Sequence, residues 1–158
     1  MSQSDDSLLF SRISSFRRLY AKALTARLET FKVRLGYIEI LNRLWEQDHV
    51  TQKKLHARLD IEQATLSNTL KRMERDGLIE LRRNLKDRRL CLICLTQTAL
   101  TIKPKVQAAI EELQSVVNVG LTINDRRYFN RILKQMTQHL DEDLQDPCLV
   151  LLDEIADD

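Results

Sequence analysis

The chain has 158 residues, 43% hydrophobic and 30% charged, with a formal net charge of +2. That apolar share supports one compact core with appendages and excludes a disordered chain, while three glycines and two prolines are too few for the turns of an all-β fold. The charge is uneven, because residues 141–158 hold eight acids and no base, leaving all 25 Lys and Arg against 15 acids in the first 140. From Asp6 to Glu29, Leu9, Ile13, Phe16, Tyr20, Leu24 and Leu28 form one stripe of a helix. A second helix, Leu35 to Gln47, places Ile38, Leu41, Leu44 and Trp45 on one face. Thr51 is an N-cap for a short helix, Gln52 to Leu59, in which Leu55 and Leu59 stand four apart. A turn around Asp60 and Ile61 leads to a third short helix with Leu66, Leu70 and Met73 inward and Gly77 as its C′ residue.

The pattern then changes. Leu78 to Arg83 and Leu90 to Leu95 read as short strands joined by the polar, basic segment 84–89. After Thr96 helix returns, with Val106, Ile110, Leu113 and Val117 as its stripe and an expected bend at Pro104. Gly120 separates it from a last helix, capped by Thr122 with Asp125 at the capping-box position. Its face is Phe129, Ile132, Leu133, Met136 and Leu140. Pro147 ends regular structure, and Leu149–Leu152 lie between acids in the tail.

Three short helices with a tight turn between the last two, followed by a basic hairpin, make a winged helix-turn-helix layout. The run Thr51-Gln52-Lys53-Lys54-Leu55 to Leu59, then Thr65-Leu66 to Met73-Glu74-Arg75-Asp76-Gly77-Leu78-Ile79, then Asp87-Arg88-Arg89 and Leu95-Thr96, resembles the MarR family of bacterial transcription regulators. The likeness is close over residues 51–99, and the long helices at 6–29 and 97–143 agree in placement with that family's dimerisation domain. The resemblance implies a mainly α fold with a small β-hairpin wing. In this fold, residues 1–33 and 97–146 form a helical dimerisation domain, 34–96 a winged helix-turn-helix DNA-binding domain and 147–158 an acidic tail. It also implies a homodimeric repressor of double-stranded DNA, relieved by a small-molecule effector acting between the helical and winged parts. Two positions depart from the family's usual pattern. Asn68 stands where members often carry Arg on the recognition helix, which shifts base preference, and Ala99 stands where Gly usually follows Leu-Thr, a change expected to be benign.

The chemistry of the residues supports the same reading. With Leu66, Leu70 and Met73 inward, Gln63, Thr65, Asn68, Lys71 and Arg72 lie wholly or partly outward. Gln and Asn pair bidentately with adenine in the major groove, and Lys and Arg take guanine or phosphate. An ordinary solvated helix face has similar residues, so the pattern alone leaves both open. Lys53, Lys54 and Arg58 on the preceding helix are candidate phosphate anchors. In the hairpin Arg82, Arg83, Lys86, Arg88 and Arg89 are opposed by one acid, Asp87. Cations so crowded are best tolerated beside a polyanion, or else they protect strand edges from aggregation. The resemblance assigns Arg89 to the minor groove, where narrow A·T-rich stretches attract guanidinium, and Asp87 to holding the wing arginines.

The apolar stripes of the two long flanking helices and the last helix exceed what one small domain covers. They are expected to interdigitate across a two-fold axis, with half-sites roughly 34 Å apart. Tyr20, Tyr37 and Trp45 are the candidate lining of an effector cleft, with a core role as the alternative. Cys91 and Cys94 stand three apart on a strand, so they point to opposite faces and cannot share a zinc. His49, His56 and His139 are scattered, and neither a metal nor a cofactor is expected. No phosphate-binding glycine loop, His-Glu-x-x-His or nucleophile elbow is present, so the chain is read as a non-enzyme. No apolar run reaches bilayer length, the first ten residues lack the base of a signal peptide, and three cysteines argue against a disulfide framework. The protein is therefore read as reduced and cytoplasmic, without a membrane partner. The competing reading is a winged-helix protein-interaction module that makes no direct DNA contact. The tail either folds back on the basic face or frays, and Cys148 within it is a weaker redox candidate.

Overall fold

A computed structural model describes residues 3–84, 87 and 90–145. In chain order they form α1 (Gln3–Glu29), a 3-10 turn (Leu35–Tyr37), α2 (Ile38–Glu46), β1 (Val50–Thr51), α3 (Gln52–His56), α4 (Gln63–Arg75), β2 (Ile79–Arg83), β3 (Cys91–Leu95), α5 (Gln97–Val117) and α6 (Ile123–Gln145). The chain divides into two compact units between Gln114 and Ser115. No helix among the described residues is long and apolar enough to cross a membrane.

In the first unit the core takes one face from each element. Leu24 and Leu28 of α1 are buried, as are Ile40, Leu41 and Leu44 of α2, Leu55 of α3, and Leu66, Leu70 and Met73 of α4. Burying each such large side chain contributes about 1.5–3 kcal/mol. The face expected for α2 is turned slightly, since Ile40 is buried while Ile38 and Trp45 are half-buried. The other half of the α1 stripe is not covered: Leu9 and Phe16 are exposed.

Helix ends follow local chemistry. Thr51 caps α3 by accepting the Lys54 amide on its hydroxyl at 3.2 Å. The helix is shorter than expected, because the Arg58 and Leu59 amides bond three residues back, to Leu55 and His56, and this tightens the chain into a turn. Two helices end alike. After α4, Gly77 takes φ +74, the Leu78 amide bonds the Met73 carbonyl and the Gly77 amide the Glu74 carbonyl, with Met73 and Leu78 both buried. That is the Schellman arrangement. α1 closes the same way through Lys32 at φ 56, with Val33 bonded to Leu28 and Lys32 to Glu29, and with Leu28 and Val33 buried.

The sheet has three antiparallel strands in the order β1-β3-β2. Ile79 pairs with Leu95 and Arg83 with Cys91 as the hairpin reading expects. The additional strand β1, with Val50 opposite Ile93, is too short for any alternation to announce it. α5 runs through Pro104 without interruption, and Thr96 caps it by accepting the Ala99 amide at 3.2 Å.

In the second unit the expected capping box is present. The Thr122 amide donates to Asp125 Oδ2 at 2.8 Å, and the Asp125 amide donates to Thr122 Oγ1 at 3.1 Å. Hydrogen bonds from the Thr122 hydroxyl and amide hold the Asp125 carboxyl below the usual range. α6 buries none of its residues; Phe129, Ile132, Leu133 and Leu140 are all exposed.

Candidate nucleic-acid interface

The inward row Leu66, Leu70 and Met73 fixes which side of α4 meets solvent. Gln63, Thr65, Asn68, Lys71 and Arg72 are all exposed, so α4 presents amide, hydroxyl and cationic groups along one helix. Two contacts that periodicity does not reveal fix α4 against α3. Gln52 Nε2 donates to Ser67 Oγ at 2.5 Å, and the His56 ring nitrogen Nε2 lies 2.8 Å from the Ile61 carbonyl, pinning the turn. A cavity of about 550 Å³ lies between Gln52, Lys53, His56 and Gln63. Thr69 folds its hydroxyl back onto the Thr65 carbonyl at 2.8 Å.

Of the candidate phosphate anchors, Lys53 and Lys54 are exposed. Arg58 is not free: in the turn after α3, its guanidinium meets Glu46 at the end of α2 at 2.5 Å. In the wing Arg82 pairs with Glu80 on the same strand face, while Arg83 ends β2 exposed. The Asn84 amide donates to the Leu90 carbonyl at 2.9 Å and the Leu90 amide to the Asp87 carbonyl at 3.0 Å, closing the base of the loop. Asp87 is exposed; Lys86, Arg88 and Arg89 lie outside the described residues, as does Cys148.

The aromatic candidates for an effector cleft lie in three different settings. Tyr37 is 1% exposed and its hydroxyl donates to Asp76 Oδ2 at 2.7 Å, a core position. Tyr20 is half-buried against Phe16, ring centroids 5.8 Å apart. Trp45 donates from Nε1 to the Ala99 carbonyl at 3.2 Å and borders a cavity of about 300 Å³ with Glu39, Asn42, Arg43, Lys103 and Gln107. Ala99 itself is fully buried, its methyl accommodated. Cys91 is exposed and Cys94 buried, the opposite-face arrangement expected of a strand, and burial pushes the Cys94 thiol up. Among the described residues no group of three His, Cys, Asp or Glu is placed to hold a metal.

The MarR family's sequence pattern matches residues 35–91. Over 103 residues, 65% of this chain and 69% of the other, the sequence is 32% identical to the HTH-type transcriptional regulator MgrA of Staphylococcus aureus. The chain belongs to the MarR family. As a MarR protein it is a transcription regulator and not an enzyme. Among solved structures, reduced AbfR bound to DNA is 27% identical, with 87% of this chain and 94% of that one aligned at a TM-score of 0.66. An organohalide-sensing transcriptional regulator in its 2,4-dichlorophenol-bound form shares the fold at a TM-score of 0.77 and 19% identity, over 88% of this chain and 85% of that one. The MarR fold is thus mainly helical with a small sheet, as the sequence resemblance implies, and the sheet has one strand more than the hairpin alone.

Proposed function

We propose that this MarR protein is a homodimeric repressor that reads a pseudo-palindromic duplex, with α4 in the major groove and the wing arginine Arg89 in the minor groove. The observation that carries this reading is the outward row of α4, where Gln63, Thr65, Asn68, Lys71 and Arg72 are all exposed on a helix that Gln52 and His56 hold in place. AbfR, at 27% identity, has been solved on DNA. The dimer is supported by exposed apolar side chains on the first and last helices: Leu9 and Phe16 on α1, Phe129, Ile132 and Leu133 on α6. A single protomer leaves them in water, and apolar clusters of that kind mark interaction surfaces. A small ligand that prefers one spacing of the two reading heads shifts the population toward it, and Trp45 beside its cavity is the candidate contact. Likeness to the dichlorophenol-bound regulator supports a ligand of that size.

A salt titration tests the core of this reading. Binding to a selected duplex is expected to weaken by about 10³–10⁵-fold between 50 and 200 mM salt if six or more phosphates are engaged. Arg89→Ala is expected to weaken it further. Binding that ignores salt and Arg89, with a protein partner captured instead, favours the interaction-module reading.

A further inference from the structure

The C-terminal end of α4 carries a carboxylate where the helix dipole disfavours one. Asp76 follows the last residue of the helix, and three groups hold it there. Arg75 donates from Nε to Asp76 Oδ1 at 3.0 Å, Arg34 Nε stands 3.5 Å from Oδ2, and the Tyr37 hydroxyl donates to the same Oδ2 at 2.7 Å. The two guanidinium side chains are 60% or more exposed, and exposed ion pairs hold geometry weakly. Tyr37 differs, because its ring is packed in the core and cannot swing away. A short hydrogen bond from a fixed donor to an ionised acceptor is the strong kind. The carboxyl is held below its usual range, chiefly by that hydroxyl and then by Arg75.

The bond joins two parts of the fold that are far apart in sequence. Tyr37 ends the 3-10 turn that follows the chain leaving α1, whereas Asp76 ends the helix that carries the reading face. On the other side of Asp76, the Gly77 and Leu78 carbonyls accept the Thr96 hydroxyl at 2.7 and 3.2 Å, at the wing's exit. The foot of α4 is therefore clamped from both sides, while its N-terminal half rests on α3 through the Gln52–Ser67 bond and leaves Gln63 exposed. A helix of 13 residues is about 19 Å long, so a tilt of about 10° at Asp76 moves Gln63 by roughly 3 Å. Base-edge hydrogen bonds, confined to about 2.7–3.2 Å, do not survive that displacement. Flexible lysine contacts to phosphate do.

Resting on the DNA-binding reading above, we propose that Asp76 is a positioning residue for base recognition: by accepting the Tyr37 hydroxyl it sets the angle at which α4 presents Gln63, Asn68 and their neighbours to the major groove. Any displacement of the segment that leaves α1 is then passed to the reading face chiefly through this contact, with the exposed Arg34 pair beside it.

The test uses the full chain with Tyr37→Phe, Asp76→Ala and the double variant. Each is titrated against the duplex that the wild type selects from a random pool, and against a scrambled duplex of equal length. Each single variant is expected to lose about tenfold on the selected duplex, equivalent to the loss of one base contact, with scrambled-duplex binding and the salt slope unchanged. The double variant is expected to lose no more than either single one. In the free protein, amides 33–37 and the last turn of α4 are expected to exchange faster in both single variants. Wild-type affinity in both variants, equal losses on the two duplexes, additive losses, or unchanged exchange each overturn the proposal. A wild type that selects no duplex fails the DNA reading itself and removes this role with it.

Discussion

Asn68 of α4 and Lys53 of α3 are expected to fail in different ways. Asn68 stands exposed on the outward row of α4, and its amide can make the bidentate adenine contact. Asn68→Ala is expected to cost about 1–3 kcal/mol on the preferred duplex and to relax preference at one base pair. Lys53→Ala, which removes a point charge, is expected to weaken all sequences alike and to lower the salt slope by about 1. Competition titrations against single-base variants of the selected duplex distinguish the two. Asp76 supplies a third residue-scale test. Its carboxyl is held low by the Tyr37 hydroxyl and then Arg75, with Arg34 adding to the effect, while Glu29 and Lys32 line the same cleft. A depressed carboxyl pKa contributes stability that is present above its unfolded value, near 3.9, and is lost as pH falls through the folded value. The stability gap between wild type and Asp76→Asn is therefore expected to be open at pH 7 and to close in strong acid, as read by thermal unfolding from pH 2 to 7.

Caps and turns set the elements, and they can be tested one at a time. Thr51→Ala removes the oxygen that accepts the Lys54 amide and is expected to cost about 1 kcal/mol. Gly77 adopts φ +74 with open space around an added Cβ. Gly77→Ala is expected to cost about 1 kcal/mol from backbone strain alone, partly offset by the stiffer unfolded chain. Denaturant midpoints at fixed protein concentration check both. Elements governed by local rules were legible in the amino-acid sequence. The Thr51 and Thr122 caps, the Gly77 terminus and the inward row of α4 follow from spacing and residue type, and all are observed. What depends on contacts distant in the chain was not legible. β1 exists only because Val50 meets Ile93, and the α1 terminus uses Lys32 at a position where glycine is the usual signal. The same holds at the site. The outward polar row of α4 could be read from a period of 3.6, but the Gln52–Ser67 bond spans fifteen residues and the Glu46 partner that occupies Arg58 lies on another helix. Tyr37 had the composition of a cleft residue, yet its place in the core follows from packing.

At the scale of the whole molecule, the proposed reading of a two-fold DNA site requires two copies. Phe16 is 48% exposed and Leu133 39% exposed in one protomer, so a charge at either position leaves the protomer's own core intact. On the proposed dimer, the wild type is expected to sediment as two copies, and Phe16→Glu and Leu133→Glu each to shift it to monomer and to abolish tight duplex binding. The basic body and acidic tail bear on rate and salt response more than on fold, which places the informative experiments on DNA rather than on stability. The most direct is selection of bound duplexes from a random pool by the purified protein. The expected result is an enriched pair of inverted half-sites with centres one helical turn apart, roughly 34 Å or 10 base pairs. Enrichment of a single asymmetric element, or none at low ionic strength, contradicts a pair of α4 helices reading adjacent major grooves.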